Sequence, residues 1–209
     1  MQPVQMPPRP SIPKLDDLDT VIHTARLTLR PFRDGDVDEI WPWVSDPAFP
    51  RNMSWSAHVD RNETRAYLAS TRAQLAQGTG IVWAIEHDGR ACGSIGLESI
   101  VWQLRAWRVD RAELGYWLAP PLWGHGLMTE AALAVVRFGF DTLALHKIRV
   151  QCLGDNDPSR RVIEKVGFRQ VGRREEDVWR DGKWHAHLLY ELVVTEWDDT
   201  TSTRRFVRR

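Results

Sequence analysis

The chain has 209 residues and a balanced charge, with 28 lysine and arginine residues against 28 aspartate and glutamate residues. This length suits one domain with tails, and it allows a substantial core. A chain without net charge lacks the general positive field that holds a polyanion, so we expect no nucleic-acid partner. No apolar run approaches the ~20 residues of a membrane helix, so we also expect no membrane partner.

The two ends of the sequence differ from its middle. Residues 1–20 carry five prolines before Lys14 and lack the basic and apolar regions of a signal peptide, so we predict a disordered tail. Residues 196–209 are polar and basic, and we predict a second tail there. Cys92 and Cys152 lie in apolar, strand-like runs, which is typical of small buried residues in a reducing cytoplasm. We therefore expect one domain over residues 21–195, without a disulfide or a metal site.

Hydrophobic periodicity and turn residues predict an alternating order of strands and helices. The clearest signal is Asp88-Gly89, because this pair between two apolar runs favours a tight hairpin turn. We expect Asp34 or Asp36 to cap the first helix and Asp157 to cap the last. The predicted elements are a strand at 21–32, helices at about 36–46 and 61–77, strands at 81–86, 91–100 and 114–118, a helix at 129–143, a strand at 147–153, a helix at 157–166, and strands at 168–173 and 188–194.

The stretch from Glu113 to Glu130 indicates a strand, a glycine loop and the start of a helix. Gly124 and Gly126 allow backbone angles closed to other residues, and they let a ligand approach the main chain. Successive N–H groups at a helix start then form a cradle for phosphate oxygens. An ordinary strand-to-helix turn remains the alternative. The loop is neither a P-loop nor a dinucleotide fingerprint, because the Lys-Ser/Thr of the first and the third glycine of the second are missing.

Several short motifs occur in a fixed order along the chain. They are Gly115-Tyr116-Trp117, Trp123-Gly124-His125-Gly126, Thr129-Glu130-Ala131, Asn156 with Ser159, and Glu164-Lys165-Val166-Gly167-Phe168. Together with the order of elements, they resemble the GNAT superfamily of acyl-CoA-dependent N-acyltransferases, and most closely its Rim-type branch, which acetylates ribosomal-protein N-termini. The resemblance covers residues 24–195. It implies an α/β (α+β) fold with a central, mostly antiparallel mixed sheet, flanked by helices and splayed between its fourth and fifth strands, those of Glu113 and Lys147.

The resemblance also implies acetyl-CoA as co-substrate and assigns residues to it. The main chain around Trp117, Leu118 and Ala119 would pair with the pantetheine arm. Asn156 and Ser159 would lie near the thioester, although these two residues, taken alone, are also typical of helix capping. The loop and helix start would hold the pyrophosphate, through Trp123, Gly124, His125, Gly126, Leu127, Met128 and Thr129.

Two positions depart from the superfamily pattern. Pro121 stands where Arg or Gln is usual, which removes a side-chain contact and leaves the amide contacts available. Ile163 stands where many members carry the tyrosine that protonates the leaving thiolate, so that mechanism cannot be transferred. A simple thiol has a pKa near ~8.5, so a weak donor such as Ser159, or water, suffices.

We expect direct attack of a primary amine, foremost a protein N-terminal α-amine, on the thioester. Glu113 is the first candidate for the base, Glu98 the second and His125 the third. We expect residues 49–60 and 101–110 to form the acceptor face. The alternative for residues 101–110 is a covered sheet edge. A small-molecule amine acceptor, such as an antibiotic or a polyamine, and a CoA-binding regulatory module without turnover remain alternatives. The sequence leaves open whether the chain forms a homodimer.

Overall fold

The computed structural model describes residues 13–197, which form an eight-stranded sheet with helices on both faces. Of the tails predicted at 1–20 and 196–209, residues 1–12 and 198–209 lie outside the described residues. Short 3₁₀ turns lie at Leu15–Asp17, Phe49–Asn52, Pro120–Leu122 and Val194–Glu196. The main elements are β1 Ile22–His23, β2 Thr28–Pro31, α1 Asp36–Val44, α2 Arg61–Ala76, β3 Ile81–His87, β4 Arg90–Leu104, β5 Trp107–Leu118, α3 Leu127–Asp141, β6 Lys147–Leu153, α4 Asp157–Val166, β7 Arg169–Arg180 and β8 Lys183–Val193.

The sheet has the order β1-β2-β3-β4-β5-β6-β8-β7. Within residues 13–197, β5 and β6 form its parallel pair, and all other neighbours are antiparallel. The parallel register ends after three residue pairs, at Glu113 opposite Arg149. Beyond this point β5 stays paired with β4, and β6 stays paired with β8. The sheet therefore opens between β5 and β6, as the resemblance to the GNAT superfamily implied.

The helices divide over the two faces of the sheet. Apolar residues of α3 and α4 pack with one face, where Val135, Phe138 and Ile163 are buried. Residues of α1 and α2, among them Ile40 and Leu68, pack on the other face. A buried ion pair between Arg30 of β2 and Asp36, at 2.8 Å, ties α1 to this sheet. The two helical layers thus cover opposite faces of the sheet in which the opening lies.

Several predicted boundaries differ from the structure. The strand expected at 21–32 is divided into β1 and β2 by a turn. Gly35 takes the N-cap position of α1, and Asp36 is the first residue of that helix. Residues 13–20, assigned to the tail from composition, pack on the domain, because Leu15 is 1% exposed and Thr20 accepts a hydrogen bond from Trp83. No helix among the described residues is both long and apolar enough to span a bilayer.

Candidate active site

The candidate active site lies where β5 and β6 diverge. Just beyond the end of β5, the Ala119 N–H donates to the Cys92 carbonyl at 2.8 Å. The Trp117 carbonyl lies against Gly93. The main-chain groups of both residues therefore face β4. Main-chain groups of successive residues alternate between the two edges of a strand. The groups that face the opened edge are therefore those of Tyr116 and Leu118, rather than those of Trp117 and Ala119. The Leu118 carbonyl already accepts one hydrogen bond, from the Trp123 indole N–H at 2.6 Å.

The glycine loop follows directly and leads into α3. Gly124 and Gly126 have φ angles of 82° and 78°, in the left-handed region that favours glycine. Glu130 is the first residue of this helix whose N–H reaches a carbonyl, that of Gly126 at 3.0 Å, so the preceding amides have no partner within the helix. A Cβ added at Gly124 would meet nothing within 4 Å. The loop thus presents N–H groups around an open space that suits an anion.

Side chains of the β1–β2 turn bind this loop, a contact that no sequence pattern indicated. Arg26 donates through Nε to Glu130 at 2.7 Å and through Nη1 to the His125 carbonyl at 2.9 Å. Thr24 donates to the same carboxylate at 2.6 Å. Burial raises the pKa of Glu130, but the hydrogen bonds from Thr24 and Arg26 outweigh it and lower the pKa overall. Glu130 is therefore ionised at neutral pH.

The start of α4 brings Ser159 to β5 on the other side of the opening. Asn156 is the N-cap, because its Oδ1 accepts the Ser159 N–H at 3.2 Å; Asp157, the predicted cap, is the first helical residue. The Ser159 hydroxyl shares a hydrogen bond of 2.8 Å with the hydroxyl of Tyr116. Burial raises the pKa of Tyr116, so its hydroxyl remains protonated at neutral pH. Ile163, at the superfamily's tyrosine position, is 1% exposed in the core.

Two carboxylates, those of Glu98 and Glu113, lie opposite each other on β4 and β5. Glu113 is bound to Arg149 of β6, and its side chain is 45% exposed. Burial raises the pKa of Glu98, and the charge of Glu113 raises it further. A Cβ on Gly115 would lie 2.9 Å from Glu98 Oε1, so the missing side chain at Gly115 leaves room for this carboxylate. The surroundings of Glu98 therefore favour the protonated form of this carboxyl group, as a proton acceptor requires.

Aromatic side chains line the α1–α2 side of the site. The rings of Phe49, Trp55 and Trp117 pack edge to face, with centroids 5.6 to 6.4 Å apart. Arg180, near the tip of the β7–β8 hairpin, donates to the carbonyls of Met53 and Trp55. The segment 49–60 and this hairpin therefore meet, a contact that the sequence did not indicate.

Residues 101–110, the second predicted acceptor segment, form the end of the β4–β5 hairpin, where Trp107 at the tip is 71% exposed and Asp110 is buried. This segment continues two strands, so it is not a covered sheet edge. His125, the third candidate base, is exposed in the glycine loop.

Both cysteines are free and buried. Cys152 lies on β6, beside the opening, although it is distant from the glycine loop in sequence. Burial raises the pKa of each thiol to about 11, so both are protonated at neutral pH. A protonated thiol is a poor nucleophile. Among the described residues, no group of three or more potential ligands is arranged to hold a metal ion.

Comparison with known proteins agrees with this geometry. A family model described as acetyltransferase (GNAT) domain matches residues 26–169, and the chain belongs to this family. It is 31% identical over 128 residues to the putative ribosomal N-acetyltransferase YdaF of Bacillus subtilis, covering 61% of this chain and 67% of the relative. It is 31% identical over 84 residues to the ribosomal protein uS5 alanine N-acetyltransferase of Escherichia coli, covering 40% of this chain and 43% of that protein.

A solved structure of Mycobacterium smegmatis RimJ in complex with CoA-disulfide aligns with a TM-score of 0.73 and 25% identity, covering 87% of this chain and 88% of that one. The predicted fold, the Rim-type branch and the class of enzyme, an N-acetyltransferase, are thereby confirmed.

Proposed function

We propose that this protein transfers an acetyl group from acetyl-CoA to the N-terminal α-amine of a protein, by direct attack of the amine on the thioester. The observation that carries the proposal is the opening between β5 and β6, which begins beyond Glu113 and Arg149 and leads to the glycine loop. An extended ligand with an anionic end fits this arrangement. The pantetheine arm would lie along the free edge of β5, and the pyrophosphate would bind the amides of residues 124–129.

Glu98 is the base in this proposal, and Glu113 supports it. The amine must lose a proton as its nitrogen bonds to the thioester carbon, and a carboxylate with a raised pKa accepts that proton more readily. Burial and the charge of Glu113 both raise the pKa of Glu98. The Glu113 carboxylate is instead occupied by Arg149. This reverses the order of the two candidates that the sequence suggested.

The leaving sulfur is stabilised by a hydrogen bond from Ser159 and takes its proton from water. As the C–S bond breaks, the thiolate of CoA forms near the start of α4, where Ser159 and Tyr116 share a hydrogen bond. Tyr116 donating to the serine oxygen would leave the serine O–H free to donate a hydrogen bond to the sulfur. No acyl-enzyme is required, because the acetyl donor is already activated and the raised pKa of about 11 keeps Cys152 protonated.

An α-amine is the acceptor that makes the least demand on this base. With a pKa near 7.8, an α-amine is about 14 per cent neutral at pH 7, whereas a lysine-like amine near 10.4 is about 0.04 per cent neutral. The difference corresponds to about 3.5 kcal/mol. The names of the relatives in B. subtilis and E. coli support a ribosomal protein as the acceptor. A cytoplasmic location belongs to the same proposal, because ribosomal proteins are made there.

The test is the release of free thiol from acetyl-CoA with matched acceptors. A peptide that begins with a free alanine is compared with the same peptide blocked at its N-terminus and carrying one lysine, and with a polyamine and an aminoglycoside. We expect thiol release with the free α-amine and a mass gain of one acetyl group at that end. Thiol release with only the polyamine or the aminoglycoside would identify a small-molecule amine as the acceptor and refute the protein acceptor. Binding of CoA without thiol release with any amine would refute turnover.

A further inference from the structure

We infer that Arg26 is a positioning residue that orients the amides of the glycine loop toward the pyrophosphate of CoA. The inference rests on the proposed function, because it assigns a role in binding the acetyl donor. Arg26 lies in the β1–β2 turn, outside the motifs that indicated the cofactor site. Its contacts with the loop join residues about a hundred positions apart in sequence.

The contact with His125 determines the direction of the next amide. Arg26 Nη1 donates to the His125 carbonyl at 2.9 Å. In a planar trans peptide, the C=O of one residue and the N–H of the next point in opposite directions. Holding the His125 carbonyl toward Arg26 therefore turns the Gly126 N–H toward the other side of the loop, where the phosphate would lie. Gly126 accepts this orientation because its φ of 78° suits glycine.

The contact with Glu130 removes a charge that would oppose the ligand. Glu130 lies in the first turn of α3 and is ionised, so it would repel a pyrophosphate bound at the same helix start. The guanidinium of Arg26 binds this carboxylate through Nε and Nη2, both at 2.7 Å. The main-chain N–H of Arg26 and the hydroxyl of Thr24 complete its hydrogen bonds. The carboxylate is thus neutralised and held on the β2 side of the loop.

Both contacts belong to one planar group, and this distinguishes the arrangement from an ordinary surface ion pair. The guanidinium binds a carboxylate and a carbonyl with a fixed angle between its N–H groups, which a flexible point charge cannot do. The nearest described atom to a Cβ built on Gly126 is Arg26 Nη2, at 3.7 Å. Arg26 therefore contacts the loop from the side opposite the proposed phosphate position, and its loss would release the loop before the ligand arrives.

The experiment compares Arg26→Met with Arg72→Met. Arg72 also forms a half-exposed ion pair, with Asp34 at 2.8 Å, so its loss changes the net charge equally without reaching the loop. We expect Arg26→Met to raise the Kd for CoA by about tenfold or more, because the loss of one hydrogen bond to a charged group lowers affinity by roughly that factor. Arg72→Met should bind CoA like the wild type. Calorimetry with CoA measures both.

Two acetyl donors separate positioning from general stability. Acetyl-pantetheine lacks the pyrophosphate, so Arg26→Met should keep wild-type kcat/KM with this donor and lose kcat/KM with acetyl-CoA, mainly through KM. A loss of equal size with both donors would show a merely structural role and overturn the inference.

The double variant Arg26→Met/Glu130→Gln removes the unpaired carboxylate and should recover only part of the CoA affinity. Full recovery would show that charge alone matters, and it would also overturn the inference. A wild-type protein that does not bind CoA refutes the proposed function itself, whereas wild-type affinity in Arg26→Met refutes this inference alone.

Discussion

Replacement of Glu98 by glutamine removes the proposed base while keeping its size. The loss depends on how much proton transfer the carboxylate performs. If Glu98 only deprotonates the bound ammonium, an α-amine that is about 14 per cent neutral at pH 7 limits the loss to about sevenfold. If Glu98 also accepts the proton in the transition state, kcat/KM should fall by the ~10² to 10⁴ typical of a general base. Burial of the carboxylate and its raised pKa favour the larger loss.

The matched control is Glu113→Gln, at the position directly across the strand pair. Glu113 raises the pKa of Glu98, so its removal should lower that pKa. The base must be deprotonated to act, and the acidic limb of the kcat/KM profile should therefore move to lower pH. The maximum should change far less than in Glu98→Gln, although Arg149 loses its partner.

The assay is thiol release with the α-amine peptide, from about pH 6 to pH 9. The Glu98→Gln profile should rise with pH until the amine is neutral, near its free pKa of about 7.8. Wild-type kcat/KM for Glu98→Gln, together with a large loss for Glu113→Gln, would refute this reasoning and restore Glu113 as the base.

Three further tests, with four substitutions, address the remaining parts of the structure. Gly124→Ala and its control Gly78→Ala each place an alanine at a left-handed backbone position, which costs about 1 to 2 kcal/mol. The added Cβ meets nothing within 4 Å at either position. Only Gly124→Ala should weaken CoA binding in calorimetry. Ser159→Ala should lower kcat with little change in Tm, because its side chain is not the helix cap; unchanged kcat would remove it from the mechanism. Asp36→Ala leaves Arg30 with one buried partner fewer and should lower the free energy of unfolding by about 3 to 5 kcal/mol in urea; a loss below about 1 kcal/mol would contradict the buried pair.

Local signals predicted most of the fold. Asp88-Gly89 forms the β3–β4 turn, and Gly167 ends α4 with a φ of 109°, because both depend on backbone angles that neighbouring residues determine. The opening between β5 and β6 came from the resemblance, through motifs placed in order. Helix starts were less accurate. Asn156 and Asp157 are both suitable caps, and only the geometry of the chain distinguishes them.

The site was predicted less completely than the fold, because its side-chain contacts join distant segments. The bond between Tyr116 and Ser159 spans 43 positions, and that between Arg26 and Glu130 spans 104. No periodicity relates such positions. Glu98 is different, since the hairpin register places it opposite Glu113 and marks a pair of like charges. The pairing of Glu113 with Arg149 needed the β5–β6 register, which the sequence did not provide.

A crystal structure with bound CoA would show where the acetyl donor binds. We expect the pyrophosphate within hydrogen-bond distance of amides from residues 124–129, with the Gly126 N–H among its donors. We also expect the pantetheine arm between β5 and β6, and its sulfur near Ser159. CoA bound elsewhere on the protein, or a pantetheine arm that leaves the opening between β5 and β6 empty, would refute the proposed site.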